Sequence, residues 1–263
     1  MKTRNLARRL QHGFSLIEMM LVVAIMGVIS AGILSQMNEA QQRGYSEQVK
    51  LDNFQEARDF VDQFFRDINQ IGYPSSRLVD TTSLTWSPVL MPQTTTYPWA
   101  NTYIFDNRMA IGLVSIGRKS VQFEGDMIGN GVVQSIIYKI NGQGSCDLCL
   151  QRSQVDKISA DPLVQPQNWG TEVNDVLSDP IFTYFKADGT QIAIPAPPAT
   201  LDISTSANAQ ILASIKTIKI SLTIRNNSVI DPKTNQAIET NFEGEVSINN
   251  CSMATTGQAT SCQ

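Results

Sequence analysis

The group with the most unusual chemical setting in this sequence is a carboxylate inside an apolar stretch. Residues 13–34 read GFSLIEMMLVVAIMGVISAGIL, and Glu18 is the one charged side chain among them. A carboxylate in lipid costs about 2.5–3.5 kcal/mol on insertion scales, so it indicates a function and requires a partner. The partner that we expect is an α-amino group, which is largely protonated at neutral pH.

The apolar stretch around Glu18 is long enough to cross a membrane, since about 20 consecutive apolar residues are needed for a spanning helix. The residues before it carry four bases and no acid, whereas acids and bases are mixed beyond it. By the positive-inside rule, the N-terminus is therefore cytoplasmic and the remainder is exported. A secretory signal cleaved near Ala31 is the alternative, but the apolar run exceeds the usual length of about 7–15 residues.

Cysteines are the second group of residues that could carry out chemistry. The sequence contains four of them: Cys146, Cys149, Cys251 and Cys262. An even number in an exported domain favours disulfides, for which three connectivities exist. We favour the local pairs, Cys146 with Cys149 and Cys251 with Cys262. Zinc bound by all four is the first alternative, although the second pair lacks the usual ligand spacing. A thioredoxin-like redox site is less favoured because no βαβ pattern surrounds the first pair.

Composition limits the remaining classes of function. The chain has 263 residues and a net charge of −4, which suits one anchor and one sizeable exported domain and does not favour nucleic-acid binding. Its one histidine, His12, precedes the apolar stretch. Residues 14–263 therefore cannot supply a Ser-His-Asp or Cys-His site or a histidine-ligated metal, and we expect neither an enzyme nor a cofactor.

The helical pattern continues beyond the membrane stretch. Apolar residues recur at steps of three and four with charged residues, including Asp67, between them, which is typical of an amphipathic helix with one buried stripe. Gly72 and Pro74 end the pattern, so a single helix over residues 14–71 would be ~87 Å long. The predicted stripe consists of Phe54, Ala57, Val61, Phe64, Phe65, Ile68 and Ile71.

After Pro74 the pattern changes to short extended segments. Residues 75–101 are rich in Thr, Ser and Pro and predict a surface excursion. Ile218, Ile220, Leu222 and Ile224 alternate with polar residues, as in a half-buried strand. Without helical patterns between the segments, we predict an α+β fold with antiparallel sheets packed on the N-terminal helix. Further strands are predicted at 103–105, 111–116, 132–140, 182–185, 192–194 and 242–248.

One loop has a composition related to that of calcium sites. Residues 123–133 read FEGDMIGNGVV, and Asp126 and Asn130 stand at positions that could supply oxygen ligands. Ile128 occupies the position of a third ligand, and Ile137 stands where a bidentate glutamate would be needed. We therefore favour a plain hairpin turn over a calcium site.

The segment Gly13-Phe-Ser-Leu-Ile-Glu18 resembles the type IV prepilin motif. The resemblance implies that a prepilin peptidase cuts between Gly13 and Phe14 and methylates the new N-terminal Phe14. It also implies that Glu18 faces the amine of a neighbouring subunit. In the head, the segments FEGDMIGNGVVQSIIYKI, CLQR, DPIFTYFKADG and IKTIKISLTIRN are similar, more loosely, to the PilW family of minor pilins, which is related to GspJ pseudopilins.

These resemblances imply an organisation and a function. The organisation has four parts: a leader at 1–13, an assembly helix at 14–38, an amphipathic helix at 39–72 and a β-rich head at 73–263. The implied function is that of a minor pilin held in the inner membrane and later displayed in the periplasm or a surface pilus. Its partners would be other pilins, the prepilin peptidase and, as a further candidate, a tip adhesin. A secretion-system pseudopilin is the first alternative, and an anchored periplasmic enzyme or ligand-binding protein is the second.

Overall fold

The computed structural model describes residues 15–74, 107–141, 147–158, 161–231 and 234–249. Within them, a long helix, α1, precedes nine strands, one further α-helix and a short 3-10 helix (Pro162–Val164). The α-helices are α1 (Leu16–Asn69) and α2 (Ser206–Ala213). The strands are β1 (Leu113–Ile116), β2 (Ser120–Gly125), β3 (Gln134–Ile140), β4 (Leu150–Asp156), β5 (Trp169–Val173), β6 (Phe182–Lys186), β7 (Leu201–Asp202), β8 (Ile215–Ile230) and β9 (Ala237–Ser247). We call the strands and α2 the head.

Helix α1 runs without interruption through both the apolar and the amphipathic stretches, as the sequence predicts. It has 54 residues, which corresponds to ~81 Å. Its N-cap is Ser15, and no proline occurs within it to remove a backbone donor. Beyond the C-cap Gln70, Gly72 has a φ of 73°, a conformation that favours glycine and ends the helix.

The buried face of α1 agrees with only part of the predicted stripe. Ala57, Val61, Phe64, Ile68 and Ile71 are all buried, as expected. The prediction is wrong for Phe54, which is 44% exposed. It is also wrong for Asp67, which was placed on the solvated side and is 3% exposed. Phe60, absent from the predicted stripe, is 2% exposed and lies at the centre of the buried face.

The head contains two antiparallel sheets, which confirms the α+β prediction. The larger sheet has six strands in the order β5-β4-β3-β2-β1-β7, and the smaller has three in the order β6-β8-β9. Every strand pair is antiparallel. Consecutive hairpins build β1 to β5, so the large sheet forms mainly from contacts close in sequence.

The hydrophobic core lies between α1 and the inner faces of the two sheets. Its centre is aromatic: the Phe64 ring lies 5.2 Å from that of Tyr138 on β3 and 5.5 Å from that of Phe182 on β6. Phe60 also contacts Tyr138, at 5.6 Å between ring centroids. Since one fully buried large apolar side chain contributes roughly 1.5–3 kcal/mol, these rings fix α1 firmly on both sheets.

The clearest predicted strand is confirmed and belongs to a long hairpin. Ile218, Ile220, Leu222 and Ile224 of β8 are all buried, as period-two alternation requires. Strand β9 pairs with β8 over most of its length, with Leu222 opposite Phe242. The two strands pack on α1, and Gly244 permits the close approach because an added Cβ would lie 2.9 Å from the Phe65 ring.

Other strand predictions are incomplete or wrong. Residues 192–194 form no strand: Gln191 makes a single bridge to Phe185, and Pro195, Pro197 and Pro198 then remove the backbone donors that pairing needs. The loop predicted at 123–133 begins only at Asp126, because Phe123 to Gly125 complete β2. Strands β2, β4, β5 and β7 and helix α2 were not predicted. The predictions for residues 75–101 and 103–105 lie outside the described residues.

Candidate functional site

The first half of α1 makes no buried contact with the head. All residues from 15 to 45 are exposed, and the first buried side chain of the helix is Ser46. We call residues 16–45 the stem. Its large apolar side chains are strongly exposed, for example Leu16 at 78% and Val28 at 76%. The stem makes α1 long and apolar enough to cross a membrane, with none of its most apolar window buried. Such a surface requires lipid or other apolar helices around it.

Glu18 takes part in a capping box at the start of the stem. The Ser15 N–H donates to Oε2 of Glu18 at 2.9 Å, and the Ser15 hydroxyl accepts from the Ile17 N–H at 3.3 Å. This arrangement occupies N–H groups that have no partner within the helix. It holds the Glu18 carboxylate beside the first turn, close in sequence to Gly13 and Phe14, which lie outside the described residues.

The second half of α1 is joined to the large sheet by a buried polar network around Asp67. Arg152 of β4 contacts Oδ2 of Asp67 through Nε at 2.8 Å and through a terminal nitrogen at 2.7 Å. The Tyr138 hydroxyl donates to the same oxygen at 2.6 Å. The Gln63 amide donates to Oδ1 at 2.7 Å, so both carboxylate oxygens have donors.

Burial and charge set the protonation of this network. Burial raises the pKa of Tyr138 well above its usual value, and the neighbouring Asp67 carboxylate raises it further. The phenol therefore stays protonated and donates its hydrogen bond. Burial also raises the pKa of Glu172 on β5, whereas the Arg152 guanidinium lowers it. Asp67 thus joins α1, β3 and β4 through one fully satisfied carboxylate.

A second attachment lies where the stem meets the head. Lys50 donates to Oδ2 of Asp231, just beyond β8, at 3.2 Å. Beside this pair, Val49 of α1 packs with Val229 and Ile238 of the β8–β9 hairpin in a small apolar cluster. The hairpin thereby fixes the direction in which the stem leaves the head.

Residues 8–34 match the family model of the prokaryotic N-terminal methylation motif. This range contains the apolar helix start and Glu18 as well as Gly13 and Phe14. The motif and the fold support a type IV pilin-like protein. No curated protein matches the chain significantly. The motif implies processing by a prepilin peptidase and assembly with other pilins, and together with the apolar helix it fits an inner-membrane anchor.

The head uses Asp126 as a turn-forming residue. Its Oδ1 accepts from the N–H groups of Gly129 and Asn130, and its Oδ2 accepts from the Gly131 N–H at 2.7 Å. Ile128 is 64% exposed, and its side chain has no oxygen that could bind a cation. Asp126 therefore stabilises an Asx-type turn, and both of its carboxylate oxygens already accept hydrogen bonds from backbone N–H groups.

The cysteine prediction falls largely on residues that the structure does not describe. Cys149 is buried, and its Sγ lies 3.3 Å from Oδ1 of Asn174. Cys146, Cys251 and Cys262 lie outside the described residues, so the two local pairs stay a prediction. Within the described ranges, no group of three or more His, Cys, Asp or Glu side chains could hold a metal ion.

Sequence reasoning missed the Asp67 network and a second buried ion pair. Lys157 and Glu124 are both fully buried, with 2.7 Å between Nζ and Oε2. Lys157 also donates to the Met109 carbonyl, and Glu124 accepts from the Ile111 N–H. A signal existed for Asp67, since it stands three residues after Phe64 and seven after Phe60 on one helix face. No comparable signal marks Lys157 or Glu124, which lie in chain segments of mixed polarity.

Proposed function

We propose that this protein is a minor pilin similar to the PilW family, which primes or caps a type IV pilus. In this proposal residues 1–13 are a leader, and the peptidase cuts between Gly13 and Phe14 and methylates Phe14. Residues 14–38 are the membrane and assembly helix, 39–72 continue it into the head, and 73–263 form the β-rich head. The N-terminus is cytoplasmic, and the head lies first in the periplasm and then in the pilus.

The observation that carries this proposal is the division of α1 at Ser46. From Ser46 onward the helix has a buried face, whereas the stem before it has none and, over residues 16–34, exposes apolar side chains on all sides. A lipid bilayer can surround such a helix, and so can a bundle of similar helices from other subunits. One surface therefore serves both the stored and the assembled state.

Glu18 is the stem residue that would bind a neighbouring pilin subunit more favourably than it binds lipid. Processing before Phe14 creates an α-amino group only four residues away in sequence, and every similar subunit would carry one. Oε2 of Glu18 accepts from Ser15, and the carboxylate retains further acceptor capacity for a charged amine. In the apolar surroundings of a helix bundle, this ion pair would favour one axial register between neighbouring subunits.

A pseudopilin of a type II secretion system shares the stem, the motif and the processing, so the machine must be identified in the cell. The test is deletion of the gene in its host, followed by parallel assays of surface pili, twitching motility and protein secretion. Loss of pili and twitching with intact secretion supports the proposal. Loss of secretion with intact pili would assign the protein to a secretion system instead.

A further inference from the structure

The outer face of the six-stranded sheet, opposite α1, is unusually polar. Cross-strand pairing places five side chains in one row across five strands. The side chains of this row carry hydroxyl, amide and aliphatic groups, and an indole lies at one end of the row. In strand order from β1 to β5, the row consists of Ser115, Gln122, Ile137, Ser153 and Trp169.

A cleft of about 350 Å³ opens over four members of this row, Ser115, Gln122, Ile137 and Trp169. One wall is formed by Trp169 with the preceding Gln167, and the other by residues 197–200, which include two prolines. The Trp169 Nε1 donates to Oε1 of Gln167 at 3.2 Å, which fixes the indole relative to its neighbour. The volume lies near the lower end of the range for small-molecule sites, so it suits one or two sugar rings better than a folded partner.

The cleft is positively charged although the protein as a whole is acidic. Arg118, Lys119 and Lys139 line it, and none of its lining residues within the described ranges is Asp or Glu. Arg118 and Lys119 share the Asp179 carboxylate, at 2.8 Å and 3.4 Å, so these three groups together retain one positive charge. Lys139 is exposed and makes no ion pair within the described ranges, so the cleft retains roughly two positive charges, which attract an anion.

We propose that this cleft binds an acidic saccharide, that is, a pyranose ring carrying a carboxylate. The indole of Trp169 can stack on the C–H face of a sugar, because the ring face carries negative charge density. The hydroxyls of Ser115 and Ser120, which make no side-chain hydrogen bond within the described ranges, can bind sugar hydroxyls. Lys139 supplies the charge-assisted bond to the carboxylate.

The test uses the full-length protein in phosphatidylcholine nanodiscs and two disaccharides that differ in one group. Cellobiouronic acid carries a carboxylate where cellobiose has a hydroxymethyl group, and isothermal titration calorimetry measures both. We expect the acidic disaccharide to bind about tenfold more tightly than the neutral one, since one charge-assisted bond distinguishes them. Equal affinities, or no binding of either at millimolar concentrations, would overturn the assignment.

Variants locate the binding within the cleft. Lys139→Gln should lower the affinity for cellobiouronic acid to about that for cellobiose, and Trp169→Ala should weaken both disaccharides about tenfold. Trp169→Phe should restore most of the affinity, because it keeps a stacking ring. Lys186→Gln, which changes an exposed lysine on the smaller sheet, is the matched control and should have no effect. Unchanged binding in Lys139→Gln, or tighter binding of a tetraglutamate peptide than of either sugar, contradicts the proposal.

Discussion

The guanidinium of Arg152 contacts a single carboxylate oxygen of Asp67 through two of its nitrogens, at 2.7 and 2.8 Å. The two residues are 85 positions apart in sequence, and both are largely buried, with 14% and 4% of their side chains exposed. Their contact joins α1 to β4 at the end of α1 farthest from the stem. It therefore helps to fix how the stem is oriented relative to the head.

The Asp67 network should be a major contributor to the stability of the head. Asp67→Ala leaves the Arg152 guanidinium buried without its counterion, which typically costs about 3–5 kcal/mol in the free energy of unfolding. The matched control is Asp62→Ala on the same helix, since the Arg58–Asp62 pair is exposed and 3.8 Å apart. An exposed pair of this kind contributes at most about 1 kcal/mol. Urea unfolding of the two variants compares them, and equal destabilisation would contradict this role.

The buried Lys157–Glu124 pair should make stability depend on pH once Lys157 is removed. Burial raises the pKa of Glu124, and the Lys157 charge opposes that rise. In Lys157→Met the positive charge that lowers the pKa of Glu124 is absent, so the folded-state pKa of Glu124 rises further above its unfolded value. A raised folded-state pKa means that stability is retained at low pH and lost as the pH rises through that pKa.

Thermal unfolding between pH 5 and pH 8 measures this effect. We expect Lys157→Met to lose more stability than the wild type as the pH rises, by ~3 kcal/mol at the upper end. The double variant Lys157→Met with Glu124→Gln is the control, because its amide cannot ionise, and the added pH dependence should disappear. If the single and double variants showed the same pH profile, Glu124 would not be the group responsible.

The Glu18 carboxylate, which lies in the apolar stem, should matter for assembly and not for insertion or processing. Glu18→Ala makes the anchor more apolar and leaves the Gly13–Phe14 bond unchanged, so insertion and cleavage should continue. In the fibre, the amine of a neighbouring Phe14 would lose its counterion, at a cost of about 3–5 kcal/mol. At tenfold for each 1.4 kcal/mol, the ratio of protein in sheared fibres to protein in the membrane should fall by more than about a hundredfold.

Glu39→Ala provides the control for this experiment, because Glu39 is an exposed stem carboxylate paired with Arg43 one turn later. It should enter fibres as the wild type does. Normal incorporation of Glu18→Ala would mean that Glu18 does not pair with an amine in the assembled state.

Much of the fold follows from local patterns in the sequence. The period-two alternation from Ile218 to Ile224 predicts β8 because one face is apolar and the other polar. The long helix follows from the continuity of apolar residues through the stem and into the stripe that contains Val61 and Phe64. Each of these elements buries one face, so its apolar residues recur with one regular spacing. That spacing can be recognised in the sequence.

The parts that sequence reasoning missed have polar residues buried by partners distant in the chain. Strand β4 was not predicted because Arg152 lies on its inward face. In the sequence alone an arginine indicates a solvated position, and its partner Asp67 is far away in the chain. Asp67 was itself assigned to the solvated side of α1 for the same reason. Strand β2 is buried on both faces, with Glu124 paired with Lys157, so it lacks the alternation that would identify it. Pairing over such distances cannot be read from one local window.

The most direct test of the central claim is the mass of the intact protein after co-expression with a prepilin peptidase. We predict that the membrane fraction contains a chain that lacks residues 1–13 and carries one added methyl group on the amine of Phe14. Gly13→Leu should prevent both changes, because it alters the residue before the scissile bond. A wild-type chain that keeps its first 13 residues in the presence of active peptidase, or one cut near Ala31 to release a soluble head, would contradict the account.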